Sequence, residues 1–181
     1  EGSGHHIGVL CLRAVADAFD RDEGPSLLTE MVFREMQIEH ALELRKAAYD
    51  PSFTRTRIAA MSRLARQAAD LGDTRAIALI ARAAKELAQL VLVCANRLGD
   101  KELSVSITGG ISSIGTLYTD PFVQTLREQR PDLSFAPARY DPLVGAVLWY
   151  FANRLGVDIT TSGMADSINR SVQAKRHGHK E

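Results

Sequence analysis

At 181 residues the chain is long enough for one domain with a substantial core, and 45% apolar with 24% charged residues is ordinary for a globular protein. Lys plus Arg equals Asp plus Glu at 22 each, which argues against nucleic-acid binding as the main role, because that role brings a basic excess. No run of about 18 apolar residues occurs, so no membrane helix is expected.

The predicted elements begin with a helix capped by Ser3, whose apolar stripe is Ile7, Leu10, Cys11, Ala14 and Ala18. The polar stretch Asp20 to Pro25 ends it. A second helix spans Leu27 to Met36, and a third, shorter one spans Glu39 to Ala48 before Asp50-Pro51 breaks the pattern. A helix from Thr56 to Leu71 carries Ile58, Met61, Leu64, Ala65 and Ala68 on one face and stops at Gly72. Asp73 then caps a long helix, Thr74 to Leu98. Its apolar set is Ile77, Ile80, Ala81, Ala84, Leu87, Leu90, Val91 and Cys94, which spreads over more than one face and predicts a buried helix ended by Gly99-Asp100.

Leu103 to Ile107 alternates and is the clearest strand, followed by a Gly/Ser/Thr loop over residues 109–116. Pro121 suits the first turn of a helix running to Arg130. Leu133 to Ala136 reads as a second strand, Asp141 to Leu155 as a helix stopped by Gly156, and Val157 to Thr160 as a short third strand. A tail helix from Met164 frays after Arg176. The order predicts an α/β domain with a small sheet and a large helical insert.

Two glycine-rich segments carry the chemistry. Glu1-Gly2-Ser3-Gly4 runs into a helix, and such a turn offers unpaired backbone N–H groups to an anion. Gly109-Gly110 follows a strand, where the lack of side chains lets a flat ligand approach the backbone. Each alone is also a common structural turn; their order, with a helical segment between, suggests half of a nucleotide site. Cys11 and Cys94 lack metal spacing and read as buried reduced thiols, which favours a cytoplasmic setting. His5 and His6 are helix neighbours whose side chains diverge by about 100°, a poor metal pair. They also resemble linker text, although the helix follows without a break. Asp20, Asp22 and Glu23 begin like a calcium loop, but Leu27 and Leu28 stand where later ligands belong. Trp149-Tyr150-Phe151 reads as helix packing against the core, and His177 and His179 as a solvated tail.

These segments resemble a known family. Glu1-Gly2-Ser3-Gly4-His5-His6-Ile7-Gly8 is similar to the end of the Gly-Asp-Glu-Gly-Ser motif of N-acetylglucosamine kinases. Those belong to the BadF/BadG/BcrA/BcrD-type ATPases of the actin/hexokinase-like, ribonuclease H-like superfold. Ala69-Asp70-Leu71-Gly72-Asp73-Thr74-Arg75-Ala76, Thr108-Gly109-Gly110 and Asp141-Pro142-Leu143-Val144-Gly145-Ala146 resemble three further motifs of that family, in the right order.

The resemblance implies that residues 1–181 are the C-terminal lobe of a two-lobed ATPase or kinase. It implies ATP and Mg2+ as cofactors, an amino sugar (N-acetylglucosamine or glucosamine) as acceptor, and a homodimer. Glu1, Gly2, Ser3 and Gly4 would form one wall of the sugar and phosphate cleft. Ala59 would line the adenine pocket, with core packing as its simpler reading, and Gly109, Gly110 and Ile111 would face the adenosine. The catalytic base and phosphate turns would precede Glu1, so no catalytic residue is expected in this chain and it is not expected to turn over alone. Activators of 2-hydroxyacyl-CoA dehydratases share the superfold but use a cluster-ligating Cys; no Cys here stands in a comparable loop. Two other roles fit the same residues: an ATPase that drives a partner protein's conformation, and a non-catalytic regulatory module.

Overall fold

A computed structural model describes residues 1–99, 102–159 and 163–177, with side chains through 172. It is mostly helical and forms two compact units, 1–105 with 110–135 and 106–109 with 136–181.

The first unit holds α1 (Gly4–Asp20), α2 (Leu27–Met36), α3 (Leu44–Ala48), α4 (Arg55–Asp70), α5 (Thr74–Leu98) and α6 (Thr116–Gln129). Strands β1 (Ser104–Val105) and β2 (Ser134–Phe135) pair in parallel, Ser104 opposite Ser134 and Val105 opposite Phe135. The core forms where α1 packs on α4 and α5 packs on α6. Ile7, Leu10, Cys11 and Val15 meet Met61, Ala65 and Ala68 there, while α5 and α6 bury Ile80, Ala84, Ala88, Tyr118 and Phe122. Each large apolar side chain so buried contributes roughly 1.5–3 kcal/mol. Burial also pushes the Cys11 thiol up to about 12, which keeps it protonated and inert.

Local chemistry explains the helix starts. Ser3, Ser26, Thr54 and Asp73 each accept a backbone N–H of the first turn that follows. Gly72, at φ +88°, turns the chain between α4 and α5. Gly8 has a different task. A Cβ on it would run into the Ile58 carbonyl, so its bareness sets the spacing at which α1 crosses α4.

Tyr118 ties the ends of this unit together. Its buried hydroxyl donates to the Gly2 carbonyl at 2.8 Å, and burial pushes the phenol up to about 12. Tyr118→Phe should leave that carbonyl without its partner and lower stability by about 1 kcal/mol, read as a shift in the urea midpoint at constant slope.

The second unit contains α7 (Pro142–Arg154) and α8 (Met164–His177). Asp141 caps α7 through the Leu143 N–H, and Val144 and Leu148 are its buried face. The Tyr140 hydroxyl donates to Asp166, and the Ser106 hydroxyl to the Ala136 carbonyl at 2.8 Å. No helix among the described residues is long and apolar enough to cross a membrane.

Several expectations need correction. The sheet is smaller than the α/β reading predicts, with two residues per strand rather than four or five. Residues 157–159 form no strand; Thr160, Asp100 and the tail beyond His177 lie outside the described residues. The third helix is split into a 3₁₀ turn at Ala41–Glu43 and α3. The loop over 109–116 contains a 3₁₀ turn at Gly110–Ile114, and α6 begins at Thr116, so Pro121 sits inside that helix rather than in its first turn. Ile80 and Ala84 are buried as expected, but Ile77, Leu90 and Cys94 are exposed, because α5 also packs through Ala76, Leu79, Ala83, Ala88, Leu92 and Ala95, whose alanines allow close helix approach. Trp149, at 59% exposure, and Tyr150 face outward rather than into a core.

Candidate functional site

The N-terminal turn is tied largely by its own groups. Ser3 Oγ accepts the His6 N–H at 3.2 Å, and the Ser3 carbonyl accepts the Ile7 N–H at 2.9 Å. The Gly2 N–H donates to His6 Nδ1 at 3.0 Å. Several of the N–H groups that the sequence offers to an anion are therefore taken up locally. Gly2 itself is buried at φ +70°. A Cβ there would lie 2.5 Å from Leu87 Cβ and 2.6 Å from the Tyr118 oxygen, so glycine is required by both conformation and space. Glu1 and Ser3 are exposed and Gly4 is half-buried.

Helix α4 links this turn to the second glycine segment. A Cβ on Gly4 would stand 3.3 Å from Ser62 Oγ and 3.5 Å from the Ala59 carbonyl, and Ser62 Oγ donates to that same carbonyl at 2.8 Å. One turn further along the same face, Arg66 donates from one guanidinium nitrogen to the carbonyls of Ser113, at 2.8 Å, and Ile114. Its Nε engages Asp70, which fixes the guanidinium plane. Ala59, Ser62 and Arg66 thus form a line running from Gly4 to the end of the Gly110–Ile114 turn. Within that turn the Ser113 hydroxyl donates to the Gly110 carbonyl at 2.7 Å.

Gly110 and Gly109 are exposed, and a Cβ on either meets nothing within 4 Å. Gly109 has φ +83° and so needs glycine for its conformation, while Gly110 does not. Ile111 and Ala59 are half-buried. Glu1, Gly4, Ala59, Gly110 and Ile111 all fall in the first unit, whereas Gly109 groups with the second.

One cluster has no counterpart in the sequence reading. His6 Nε2 lies 2.9 Å from Glu1 Oε2 and 3.2 Å from Glu86 Oε2. Arg82 donates to Glu86 Oε1 at 2.8 Å, and this bond holds the Glu86 carboxyl below its ordinary range against the opposing effect of burial. Glu86 Oε2 is shut off from solvent and has no well-directed hydrogen bond. Among the described residues these are the three His, Cys, Asp or Glu side chains whose donor atoms gather within 4.8 Å. Glu1 and His6 are near in sequence, but Glu86 lies eighty positions beyond His6, so no local spacing signals the cluster; only the packing of α1 against α5 brings Glu86 to the other two.

Two surface grooves contain none of the predicted site residues. One, of about 620 Å3, runs beside α6 past Thr119, Val123, Arg127 and Phe135; the other, of about 260 Å3, lies between α1 and α5 near Arg13, Arg21, Arg75 and Arg82.

No protein-family model matches the chain. Two curated proteins do. The chain is 30% identical over 151 residues to N-acetyl-D-glucosamine kinase of Dictyostelium discoideum, covering 81% of this chain and 47% of that protein. It is 26% identical over 151 residues to N-acetylmuramic acid/N-acetylglucosamine kinase of Clostridium acetobutylicum, covering 82% of this chain and 49% of that protein. The chain is thus related to sugar kinases. More particularly, it is N-acetylglucosamine kinase-like, and it spans about half the length of the curated relatives it matches. A mostly helical body with a small parallel sheet is compatible with part of one lobe of an actin/hexokinase-like fold.

Kinase relatives imply ATP with Mg2+. Two carboxylates suit a hard cation. In the Glu1–His6–Glu86 cluster, however, the Gly2 N–H points at Nδ1, so the ring proton belongs on Nε2, which then has no lone pair to give. Glu86 Oε1 is also already engaged by Arg82. The cluster fits a hydrogen-bonded clamp better than a metal cage, and no magnesium ligand is assigned to it.

Proposed function

We propose that this chain is the C-terminal, adenosine-binding lobe of an ATP-dependent amino-sugar kinase. The observation that carries this reading is the α4 line. Ala59, Ser62 and Arg66 link the Glu1–Gly4 turn to the Gly110–Ile114 turn, the two segments that the family resemblance assigns to the sugar–phosphate cleft and the adenosine. The open space at Gly110 suits a flat ring laid against the backbone. The similarity to two kinases that share N-acetylglucosamine in their names supports an amino-sugar acceptor.

The chain's own residues would bind and orient. The Gly110 and Ile111 backbone holds the adenosine, and the Glu1 to Gly4 turn closes one side of the acceptor cleft. When bound, Mg2+ would neutralise phosphate charge, with ligands outside the residues assigned here. Phosphoryl transfer relies on positioning and charge stabilisation from both sides of a cleft, so the activity belongs to the whole protein.

The test is a thermal-shift and turnover assay on the full-length gene product with Mg-ATP and glucosamine, N-acetylglucosamine or glucose. Sugar-dependent ADP release supports the kinase. ATP stabilisation with sugar-independent hydrolysis points instead to an ATPase that drives a partner.

Gly110→Val examines the adenosine assignment directly. Its Cβ meets nothing, so the melting temperature of the unliganded full-length protein should hold while ATP affinity falls roughly tenfold or more. Unchanged ATP binding by isothermal calorimetry rejects the assignment.

A further inference from the structure

Glu1 projects from the start of the first glycine turn, exposed, and its carboxylate is met by one side chain that the turn itself orients. The Gly2 N–H donates to His6 Nδ1 at 3.0 Å, which fixes the ring and leaves its proton on Nε2. That nitrogen faces Glu1 Oε2 at 2.9 Å and Glu86 Oε2 at 3.2 Å. Glu86 is in turn held by Arg82 from the preceding turn of α5. Two carboxylates that would otherwise repel each other therefore gather within ion-pair distance of one ring nitrogen, and one of them is anchored on a 25-residue helix.

We propose that His6 is a positioning residue. As a neutral ring protonated at Nε2, it bridges Glu1 to Glu86 and so fixes the Glu1 carboxylate at the acceptor side of the cleft. The functional consequence rests on the kinase reading; the bridge does not. Deeper in the chain, α5 anchors the arrangement through Glu86 and Arg82, so the long helix and the cleft wall move together. A direct carboxylate–carboxylate contact cannot replace the ring, because two unprotonated carboxylates have no proton to share.

Two variants separate the ring's two nitrogens. His6→Asn places an acceptor near the position of Nδ1 and can keep the Gly2 N–H bond, but it is too short to reach Glu1. His6→Gln extends a donor to the position of Nε2 and can reach Glu1, but it gives up the Nδ1 acceptor. In the full-length protein, Asn should raise the sugar KM on the order of tenfold with the ATP KM and melting temperature little changed, and Gln should recover most of that loss. A defective Gln beside a normal Asn would mean that His6 only ties the turn and would overturn the proposal. So would wild-type behaviour in both, or equal losses accompanied by a lowered melting temperature.

Nitrogen-detected imidazole NMR on wild type provides a readout that needs no turnover. The expected signal is a neutral ring with its proton on Nε2, with the Nε2 resonance shifted in Glu86→Gln. A ring protonated on Nδ1, or one indifferent to Glu86→Gln, overturns the bridge. If the wild-type full-length protein shows no sugar-dependent turnover, the kinase reading fails by itself and the NMR result alone decides the role of His6.

Discussion

Gly8→Ala is expected to destabilise the protein by about 2 kcal/mol or more, although alanine is the better helix former by about 1 kcal/mol. The contest is between propensity and space, and space wins. The added methyl meets the Ile58 carbonyl and its carbon, which are backbone atoms of α4 and cannot swing aside as the end of a flexible side chain could. Helices α1 and α4 would have to separate, and the buried contacts of Ile7, Cys11, Met61 and Ala65 would loosen with them. Gly24→Ala is the control. It meets nothing within 4 Å, so its effect should stay within about 0.5 kcal/mol. Equilibrium unfolding of both variants checks the pair, and similar midpoints would show that the crossing tolerates a methyl.

Asp73→Ala should cost about 3 kcal/mol. One carboxylate oxygen accepts the Ala76 N–H at 2.9 Å and caps α5, while the other accepts the Leu28 N–H at 2.8 Å and joins the start of α2 to the start of α5. Losing a cap costs roughly 1 kcal/mol, and a buried N–H left without a partner adds roughly 1–3 kcal/mol. Burial raises the Asp73 carboxyl, but the N–H groups of Leu28 and Ala76 overcome it and hold the group below its ordinary value of 3.8. A group lowered on folding contributes fully above its unfolded value. The Asp73 contribution is therefore complete at neutral pH and is lost as pH falls below 3.8 through the folded value. Asp73→Asn should flatten stability against pH in that acid range, measured by urea midpoints; a slope equal to that of wild type would remove Asp73 from the acid response.

What could be read before the fold was known was what lies close in sequence. Ser3 and Asp73 were recognisable as caps, and α2 and α5 begin and end where the pattern of apolar, capping and stop residues places them. Burial on α5 was not legible, because that helix carries several apolar stripes and only its neighbours choose among them. Ile80 and Ala84 are buried as expected, but Leu90 and Cys94 are exposed while Ala83, Ala88 and Leu92 are buried in their place. The start of α6 is not legible in the sequence, because Gly115 precedes it without a side-chain cap and Pro121 is a misleading signal. At the candidate site the two glycine segments stood out locally. Arg66 and Glu86 did not, since each acts on residues brought near only by helix packing. His6 stands beside His5 in sequence, but its partners lie one turn behind it and on another helix, where no local spacing points.

The hydrogen bond from Tyr118 to the Gly2 carbonyl joins residues 116 positions apart. A ribosome adding roughly 5–20 residues each second makes Gly2 on the order of ten seconds before Tyr118 exists. Throughout that interval the Gly2 carbonyl lacks its partner, whatever α1 and α4 have already achieved together. The Glu1–Gly4 turn is therefore completed only after α6 has been made. A pause in translation ahead of α6 would expose the Gly2 carbonyl, together with the face of α5 that α6 covers, to proteases and chaperones.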